Sequence, residues 1–360
     1  MSSPAPGAGA EPDEGGRSGG SGLDFAERLR QARAQVARIG GLAAAVIILA
    51  LIFSYRTNGQ MLQVDNLLGI VRAVSTIAIM SLGLLVVIVA GEIDLSFANL
   101  YGLCTNVVAV LWLTHGVPVY VSIAAAFGVA IAVGCFNAFF TAIVGIPSFI
   151  ATLGSSTLIF GFTLYIGYAQ SFSAQYPPTG HTVPHSEYRI FTDLSNAHLP
   201  GKFPMQGLWM VALLVIFGFL LGRSLFGFRL KAIGGNRQAA ALARLPVRKY
   251  IFIAFILCAC MSCLAGLLDF AFIGSAGPND GQSNLFPVFA AVIIGGASLT
   301  GGKGTVFGTL CGALLLAVLN NGIALEADGS FVQQILLGTV TILAVVLDRY
   351  TSHRRTGKTA

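Results

Sequence analysis

The stretch GRSLFGFRLKAIGGNRQAAALARLPVRKY, Gly222 to Tyr250, is a polar segment between two long apolar runs. It holds seven cations and no carboxylate, and this excess of positive charge next to apolar runs predicts that it lies in the cytoplasm. Gly234, Gly235 and Asn236 predict a turn followed by a helix N-cap, and the good helix formers of 237–245 are ended by Pro246. We call residues 222–250 the basic segment and expect it to present a short docking helix at the membrane surface.

The rest of the chain has the composition of a membrane protein. Apolar residues make up 55% of the 360 residues, charged residues 10%, and the mean hydropathy is +0.79, whereas soluble domains carry about 25% charged residues. Ten apolar segments are found, at 40–56, 66–90, 96–114, 117–145, 148–169, 207–224, 249–274, 284–300, 303–325 and 329–348. Several have the roughly 20 residues that a crossing helix needs, and the short ones are candidates for re-entrant or half-helices. The sequence therefore predicts an all-α, polytopic membrane helical bundle of about ten transmembrane or re-entrant helices.

The predicted domain organisation follows from composition and charge. Residues 1–22 are rich in Gly, Ser, Pro and Ala and predict a disordered cytoplasmic tail, and 23–39 predict a basic cytoplasmic helix. Residues 40–348 form the predicted transmembrane domain, with an external loop at 170–206, and 349–360 form a cytoplasmic tail. If the N-terminus is cytoplasmic and each span crosses the membrane once, ten spans place most of the 21 cations on the cytoplasmic side. Ten spans therefore fit the charge distribution better than nine or eleven.

Charge and cysteine content exclude some classes of function. The formal net charge is +6, but the cations lie beside apolar spans, so membrane topology explains them and nucleic-acid binding is not predicted. The six cysteines lie inside apolar runs, and disulfides are not expected to define the fold. Cys258, Cys260 and Cys263 are expected to be packing residues, because the first two point to nearly opposite sides of a helix and no histidine is near them.

Three histidines, His181, His185 and His198, lie in the predicted external loop. Their spacing and the intervening Pro184 make a shared metal site less plausible than a solvated lid or partner-contact loop.

Two carboxylates lie at the boundary of two apolar runs in the sequence GEIDLS, 91–96. In a structural interpretation Asp94 or Ser96 caps the next helix, and negative charge suits its N-terminus. In a functional interpretation Glu92 and Asp94 line an aqueous pathway, where irregular backbone is tolerated at membrane depth. We favour the structural interpretation, which does not exclude the other.

A second candidate region is IPSFIATLG, 146–154, where Pro147 predicts the first turn of a helix. Phe149 and Thr152 would face either a solute path or packed neighbours. The candidate pathway or gate residues are Glu92, Asp94, Ser96, Asn99, Phe149 and Thr152.

Glycines dominate the later run from Ile293 to Gly322. Gly304, Gly308 and Gly312 recur at spacing four, which predicts close contact between helices. The sequence GGKGT at 301–305 lacks the spacing of a phosphate-binding P-loop, since glycine follows Lys303 where Ser or Thr is required. The sequence predicts neither a nucleotide site, nor a cofactor, nor a catalytic set of nucleophile and base.

Four motifs together carry a family resemblance: GEIDLS (91–96), IPSFIATLG (146–154), AIGGNRQAA (232–240) and IGGASLTGGKGT (294–305). From about residue 60 to 348 the chain resembles the permease subunits of bacterial ribose/xylose/galactose-type ABC importers. The resemblance implies a multi-pass protein of the bacterial inner membrane, in contact with lipid. Its implied partners are an ABC ATPase subunit, a periplasmic-type solute-binding protein and a second permease subunit, identical or related.

The resemblance also implies roles for residues of the basic segment. It identifies 234–245 as the coupling helix that the ATPase subunit receives. The implied coupling residues are Gly234, Gly235, Asn236, Arg237, Ala240, Leu242 and Arg244.

The chain departs from the family pattern near the first motif. Sugar permeases usually have glycine where Glu92 stands, and a small Gly/Ser pair where Phe97, Ala98 and Asn99 stand. A sugar, a polyol or another small polar compound therefore remains a candidate solute.

Two other classes of function remain as alternatives. The first is a stand-alone secondary carrier or facilitator, whose uptake would persist after ATP depletion. The second is an intramembrane enzyme with Glu92 and Asp94 as an acid/base pair. The importer is favoured by the resemblance, the basic segment and the scarcity of charges deep within the spans.

Overall fold

A computed structural model describes residues 40–178, 182–197, 203–326 and 331–346, except for 337, 340, 344 and 345. The helices are α1 Gly40–Arg56, α2 Val64–Val89, α3 Phe97–Ala109, α4 Val119–Phe139, α5 Ser148–Ile166, α6 His185–Asn196, α7 Met205–Gly222, α8 Leu225–Gly235, α9 Arg237–Leu242, α10 Val247–Ile273, α11 Leu285–Ile294, α12 Val306–Leu325 and α13 Phe331–Leu343. Helices α3 and α4 each continue into a π-helical turn, Val110–Thr114 and Phe140–Val144. The predicted segments 1–22, 23–39 and 349–360 lie outside the described residues, as do His181 and His198.

The predicted polytopic helical bundle is confirmed. Seven of the described helices, α2, α3, α4, α5, α7, α10 and α12, are long and apolar enough to cross a membrane, and α1, α11 and α13 are shorter apolar helices. Together they correspond to the ten predicted apolar segments. The largest difference is at α11, which ends at Ile294 rather than near 300. Gly296, Gly301 and Gly302 beyond it have positive φ angles, which glycine adopts at low cost, so the chain turns back early into α12.

Helix α10 lies at the centre of the bundle and packs against α2, α3 and α4. A Cβ atom added at Gly83 of α2 would stand 2.8 Å from the Cα of Cys258, and one at Gly134 of α4 would stand 2.8 Å from the Cα of Ile256. Such small residues let helix backbones approach closely in a membrane, where packing drives association. Cys258 and Cys263 are buried and Cys260 is partly buried, which agrees with the packing role predicted for the three cysteines.

The predicted glycine face of α12 is confirmed. A Cβ atom at Gly308 would overlap the carbonyl oxygen of Gly295, and one at Gly312 would overlap that of Ala291. Gly304 lies against the side chain of Leu85. Helix α12 therefore packs backbone to backbone on α11.

The 170–206 connection is more ordered than predicted. Strand β1, Phe172–Ser173, pairs antiparallel with β2, Ser275–Ala276, and α6 begins directly after Pro184. Phe191 of α6 is fully buried between the rings of Trp112 and Phe270, at centroid distances of 5.1 and 4.9 Å. Within the segment predicted as a solvated lid or partner-contact loop, α6 is therefore a helix that one aromatic residue anchors to the bundle.

Candidate functional site

Residues 91–96, the crossing segment, join α2 to α3 without regular secondary structure. Buried backbone groups need hydrogen-bond partners, and here α5 supplies them. The Ile93 N–H donates to Ser148 Oγ at 2.9 Å, and the Leu95 N–H donates to Thr152 Oγ1 at 3.1 Å. The hydroxyls of α5 therefore hold an irregular strand of backbone inside the bundle.

Asp94 is buried at the start of α3, with 2% of its surface exposed. Its Oδ1 accepts hydrogen bonds from the Ser96 N–H at 2.8 Å and from the Ser96 hydroxyl at 2.7 Å. Ser96 Oγ in turn accepts from Asn137 Nδ2 of α4 at 2.8 Å. This geometry agrees with the structural interpretation, with Asp94 rather than Ser96 as the acceptor at the helix start.

Glu92 has a different partner from Asp94. Its Oε1 accepts from Arg237 Nη1 at 2.7 Å, although only 7% of Glu92 is exposed. Burial raises the pKa of Glu92, while the hydrogen bond with Ser148 and the Arg237 guanidinium oppose that rise. The ion pair joins the crossing segment to the first residue of α9.

Four glycines near this ion pair, Gly91, Gly234, Gly301 and Gly302, bring three backbones together, and we call them the glycine junction. A Cβ atom at Gly234 would overlap the carbonyl oxygen of Val89, which accepts the Gly302 N–H at 3.0 Å. A Cβ atom at Gly301 would stand 2.7 Å from the Cα of Gly91. The ends of α2 and α8 and the turn between α11 and α12 therefore meet with no side chain between them.

The basic segment contains two helices before α10, whereas one was predicted. Helix α8 was missed, and Gly234 and Gly235 are its last two residues rather than a turn. The predicted N-cap is confirmed, because Asn236 Oδ1 accepts the Ala239 N–H at 2.9 Å.

Helix α9 ends at Leu242 and not at Leu245 as predicted. Arg244 has a φ of +58°, and its N–H donates to the Ala241 carbonyl at 2.9 Å. The Leu245 N–H donates to the Ala240 carbonyl at 3.0 Å. This pair of bonds is a Schellman motif with arginine where glycine is usual, and it ends the helix before Pro246.

The surface of α9 is almost entirely exposed. Ala240 is its buried residue, with 5% exposure, whereas Leu242 is 86% exposed. Gly235, Asn236, Arg237 and Arg244 are also exposed. A short helix with an exposed leucine among cations has the character of a docking surface.

The predicted pathway residues are mostly brought together. Asn99 Nδ2 donates to Ser156 Oγ of α5 at 2.9 Å, so Asn99 joins Glu92, Asp94, Ser96 and Thr152 around the crossing segment. Phe149 does not join them, because its side chain lies at the surface, 50% exposed.

Sequence reasoning missed a cavity at the opposite end of α10 from the basic segment. This distal cavity has a volume of about 300 Å³. Its polar lining residues are Tyr101, Thr105, Asp269, Ser275, Asn279, Asp280, Ser283 and Asn284. Asp269, a carboxylate inside an apolar span, is the signal that could have found it, because such residues are costly in lipid and mark functional positions.

Comparison with known proteins identifies one family. Residues 66–345 match the family described as branched-chain amino acid transport system / permease component. The ribose import permease protein RbsC of Escherichia coli is 32% identical over 85% of this chain and 92% of its own length. RbsC of Bacillus subtilis is 32% identical over 86% and 91%, and the xylose transport system permease protein XylH of Haemophilus influenzae is 30% identical over 84% and 94%. No solved structure matches the chain significantly.

Proposed function

Because the chain belongs to the family of branched-chain amino acid transport system permease components, we propose that it imports a sugar or sugar-like small polar solute across the bacterial inner membrane. In this proposal it is the membrane-spanning subunit of an ATP-driven ABC importer. The names of the ribose and xylose permeases support the solute class. The nucleotide chemistry belongs to a partner ATPase, and the transport pathway to this chain.

The observation that carries the proposal is the attachment of an exposed docking helix to the transmembrane core. Helix α9 presents Leu242 to solvent, and Arg244 lies exposed just beyond its end. Arg237 pairs with Glu92, and the end of α8 packs on α2 through the glycine junction. A partner that displaces α9 therefore pulls directly on the crossing segment. The proposed coupling residues are Gly234, Gly235, Asn236, Arg237, Ala240, Leu242 and Arg244.

The crossing segment is the proposed gate at the cytoplasmic end of the pathway. Its backbone hydrogen-bonds to hydroxyl side chains of α5, which can exchange partners more readily than a regular helix can unwind. Glu92, Asp94, Ser96, Asn99 and Thr152 form the gate in this proposal, and Phe149 on the α5 surface flanks it.

The proposed orientation places both termini and the basic segment in the cytoplasm, in line with the excess of cations there. The distal cavity then opens to the outside, where a periplasmic-type solute-binding protein would dock. A second permease subunit, identical or related, completes the pathway.

Affinity purification of the tagged chain from its native membrane, followed by mass spectrometry, tests the proposal. We expect an ABC ATPase subunit and a solute-binding protein to co-purify. Reproducible absence of both from an intact, monodisperse preparation would contradict the proposal, as would uptake that survives ATP depletion.

A variant pair tests the docking role of α9. Leu242→Asp combined with Arg244→Glu changes two exposed positions, so we expect normal amounts of chain in the membrane but loss of the ATPase and of uptake. Arg223→Glu, at an exposed cation outside α9, is the matched control and should retain both. Normal uptake by the double variant would show that α9 is not the docking helix.

A further inference from the structure

Helix α8 lies across the end of α7. A connection of only two residues, 223–224, separates the two helices. Lys231 Nζ donates to the Leu221 carbonyl at 2.8 Å, and a Cβ atom at Gly227 would stand 2.6 Å from the Leu221 Cα. Because two successive turns of α8 lie against the same last turn of α7, the chain bends sharply after α7 instead of continuing along its axis.

The depth of α8 follows from the two spans that it contacts. Helix α7 has 18 residues, about 27 Å, so its end lies at the edge of a hydrocarbon core about 30 Å thick. Helix α8 also contacts the first turn of α10. The Phe226 ring stacks on the Tyr250 ring at a centroid distance of 5.4 Å, and Arg229 Nη1 donates to the Tyr250 hydroxyl at 3.3 Å. A helix held between the last turn of one span and the first turn of another lies at the level of the lipid headgroups.

The exposed face of α8 is partly apolar. Leu225 and Phe228, one turn apart, are 72% and 75% exposed. The end of α7 has the same character, because Val215 and Phe219 are exposed on a helix that crosses the membrane. The Ser224 N–H donates to the Phe219 carbonyl at 3.1 Å, so Leu225 follows directly on this surface. The apolar face of α8 therefore extends the lipid-facing surface of α7 to the headgroup level.

A cation adjoins this apolar face. Arg229 follows Phe228 in α8 and is exposed. Among the described residues its guanidinium bonds to the Tyr250 hydroxyl and to no carboxylate. Arginine presents five N–H donors in a planar fork that matches a phosphate group, and one bond to a tyrosine leaves most of them available. The tyrosine thus positions a guanidinium beside the apolar face.

Lipid suits this face better than a cytoplasmic protein does. Leu225 lies three residues beyond the end of α7, so a protein that covered it would have to displace lipid from the edge of a span. Helix α9 offers a protein partner its own exposed leucine, Leu242, beyond the turn at Asn236. The basic segment contains no carboxylate that would repel a phosphate. The two helices therefore fit different partners.

We propose that α8 is an interfacial helix that binds anionic phospholipid. Leu225 and Phe228 insert among the acyl chains, and Arg229 binds the lipid phosphate. The choice of the cytoplasmic leaflet rests on the proposed orientation, whereas the contact with lipid does not depend on the imported solute. Because α9 begins two residues after α8 ends, lipid supports one side of the docking helix and the glycine junction the other.

Photo-crosslinking identifies what covers this face. Benzoylphenylalanine is introduced at Phe228 of the full chain, the native membrane is irradiated, and the adducts are identified by mass spectrometry. We expect phospholipid adducts at this position. The same probe at Leu242 of α9 is the matched control and should give an ATPase adduct. Leu225 provides a second position for the lipid probe, should the change at Phe228 lower the amount of chain.

The headgroup preference is measured on the purified chain in vesicles of equal amounts of phosphatidylglycerol and phosphatidylcholine. We expect phosphatidylglycerol adducts at Phe228 to exceed phosphatidylcholine adducts. Arg229→Gln should lower that ratio about fivefold, the effect of one cation near a membrane surface. Arg244→Gln, which removes an exposed cation beyond α9, is the control and should leave the ratio unchanged.

An ATPase adduct at Phe228, or the absence of lipid adducts at both Phe228 and Leu225, would overturn the inference. Equal yields of the two lipids, or an equal loss of preference in Arg229→Gln and Arg244→Gln, would overturn the role of Arg229. Absence of an ATPase adduct at Leu242 would instead count against the docking role of α9 and leave the lipid contact of α8 standing.

Discussion

Close contacts between a glycine and a backbone carbonyl are found near both ends of α10, but among the described residues a cavity is found at only one of the two ends. At one end Gly234 meets the Val89 carbonyl, and at the other Gly102 meets the Asp280 carbonyl, so both ends join a loop or short helix to the core by backbone contact. At the glycine junction a Cβ atom on Gly234 or Gly301 would meet backbone atoms closer than 3 Å. The distal end leaves a cavity of about 300 Å³.

This difference indicates a division of labour. Packed backbones are nearly incompressible, so a displacement of α8 has to move α2 and the turn before α12 with it. A cavity lined by hydroxyls and amides can instead exchange one set of hydrogen bonds for another as a solute enters. The glycine junction is therefore the less deformable of the two ends.

The largest effect is expected from a substitution in the glycine junction. Gly234→Ala puts a methyl group onto the Val89 carbonyl oxygen, where backbone and not a flexible side chain has to yield. We expect destabilisation of at least about 2 kcal/mol, seen as a Tm lower by about 2–3 °C or more in detergent, together with loss of uptake.

The neighbouring glycine provides the control for that experiment. A Cβ atom at Gly235 meets nothing within 4 Å, so Gly235→Ala should leave Tm unchanged or slightly raised through its higher helix propensity. Equal Tm values for the two variants would refute the packed junction.

A smaller effect is expected from the corresponding change at the distal end. Gly102→Ala would bring a methyl group to 2.6 Å from the Asp280 carbonyl oxygen, a smaller overlap than at Gly234, so a smaller backbone shift relieves it. We expect a cost of about 1 kcal/mol in stability but a loss of uptake of about tenfold, with the ATPase still co-purifying. Gly128→Ala in α4, where a Cβ meets nothing within 4 Å, is the control. Loss of the ATPase in Gly102→Ala would mean that the two ends are not separable.

The two ends also differ in how far the sequence predicts them. The run of apolar segments predicted the ten apolar helices, because the length needed to cross a membrane is read directly from hydropathy. The Asn236 N-cap and the Gly308 and Gly312 contacts were predictable because each is a local rule of helix capping or small-residue packing.

The unpredicted features depend on residues that are far apart in the sequence. Glu92 pairs with Arg237 across 145 positions, and Tyr101 reaches Asp269 across 168. Neither partner has a motif that identifies the other. Helix α6 was missed for a similar reason, since Phe191 looks like one aromatic in a polar loop until Trp112 and Phe270 are placed around it.

Substitutions at the Glu92–Arg237 ion pair test how much this charge interaction contributes to stability near the glycine junction. The Arg237 side chain is 49% exposed, so solvent screens the pair. A double-mutant cycle of Glu92→Gln and Arg237→Gln should give a coupling energy of about 0.5–1 kcal/mol from Tm shifts. If the two effects are simply additive, the ion pair does not couple α9 to the crossing segment.

The smallest expected effect separates the shape of the docking helix from its charge. Arg244 occupies the left-handed position of the Schellman motif, with a φ of +58°, where a side chain is strained and glycine is not. Arg244→Gly should therefore raise stability by about 0.5 kcal/mol, because relief of that strain outweighs the extra freedom of glycine in the unfolded chain.

Arg248 is an exposed cation of the same basic segment, but it lies in the first turns of α10. Arg248→Gly should lower stability by about 1 kcal/mol, the usual cost of glycine within a helix. Tm is measured for both variants in the same detergent. Opposite signs of the two changes would show that the backbone conformation of Arg244 costs stability. Equal signs would show that backbone conformation does not distinguish the two arginines, and that loss of a cation dominates at both.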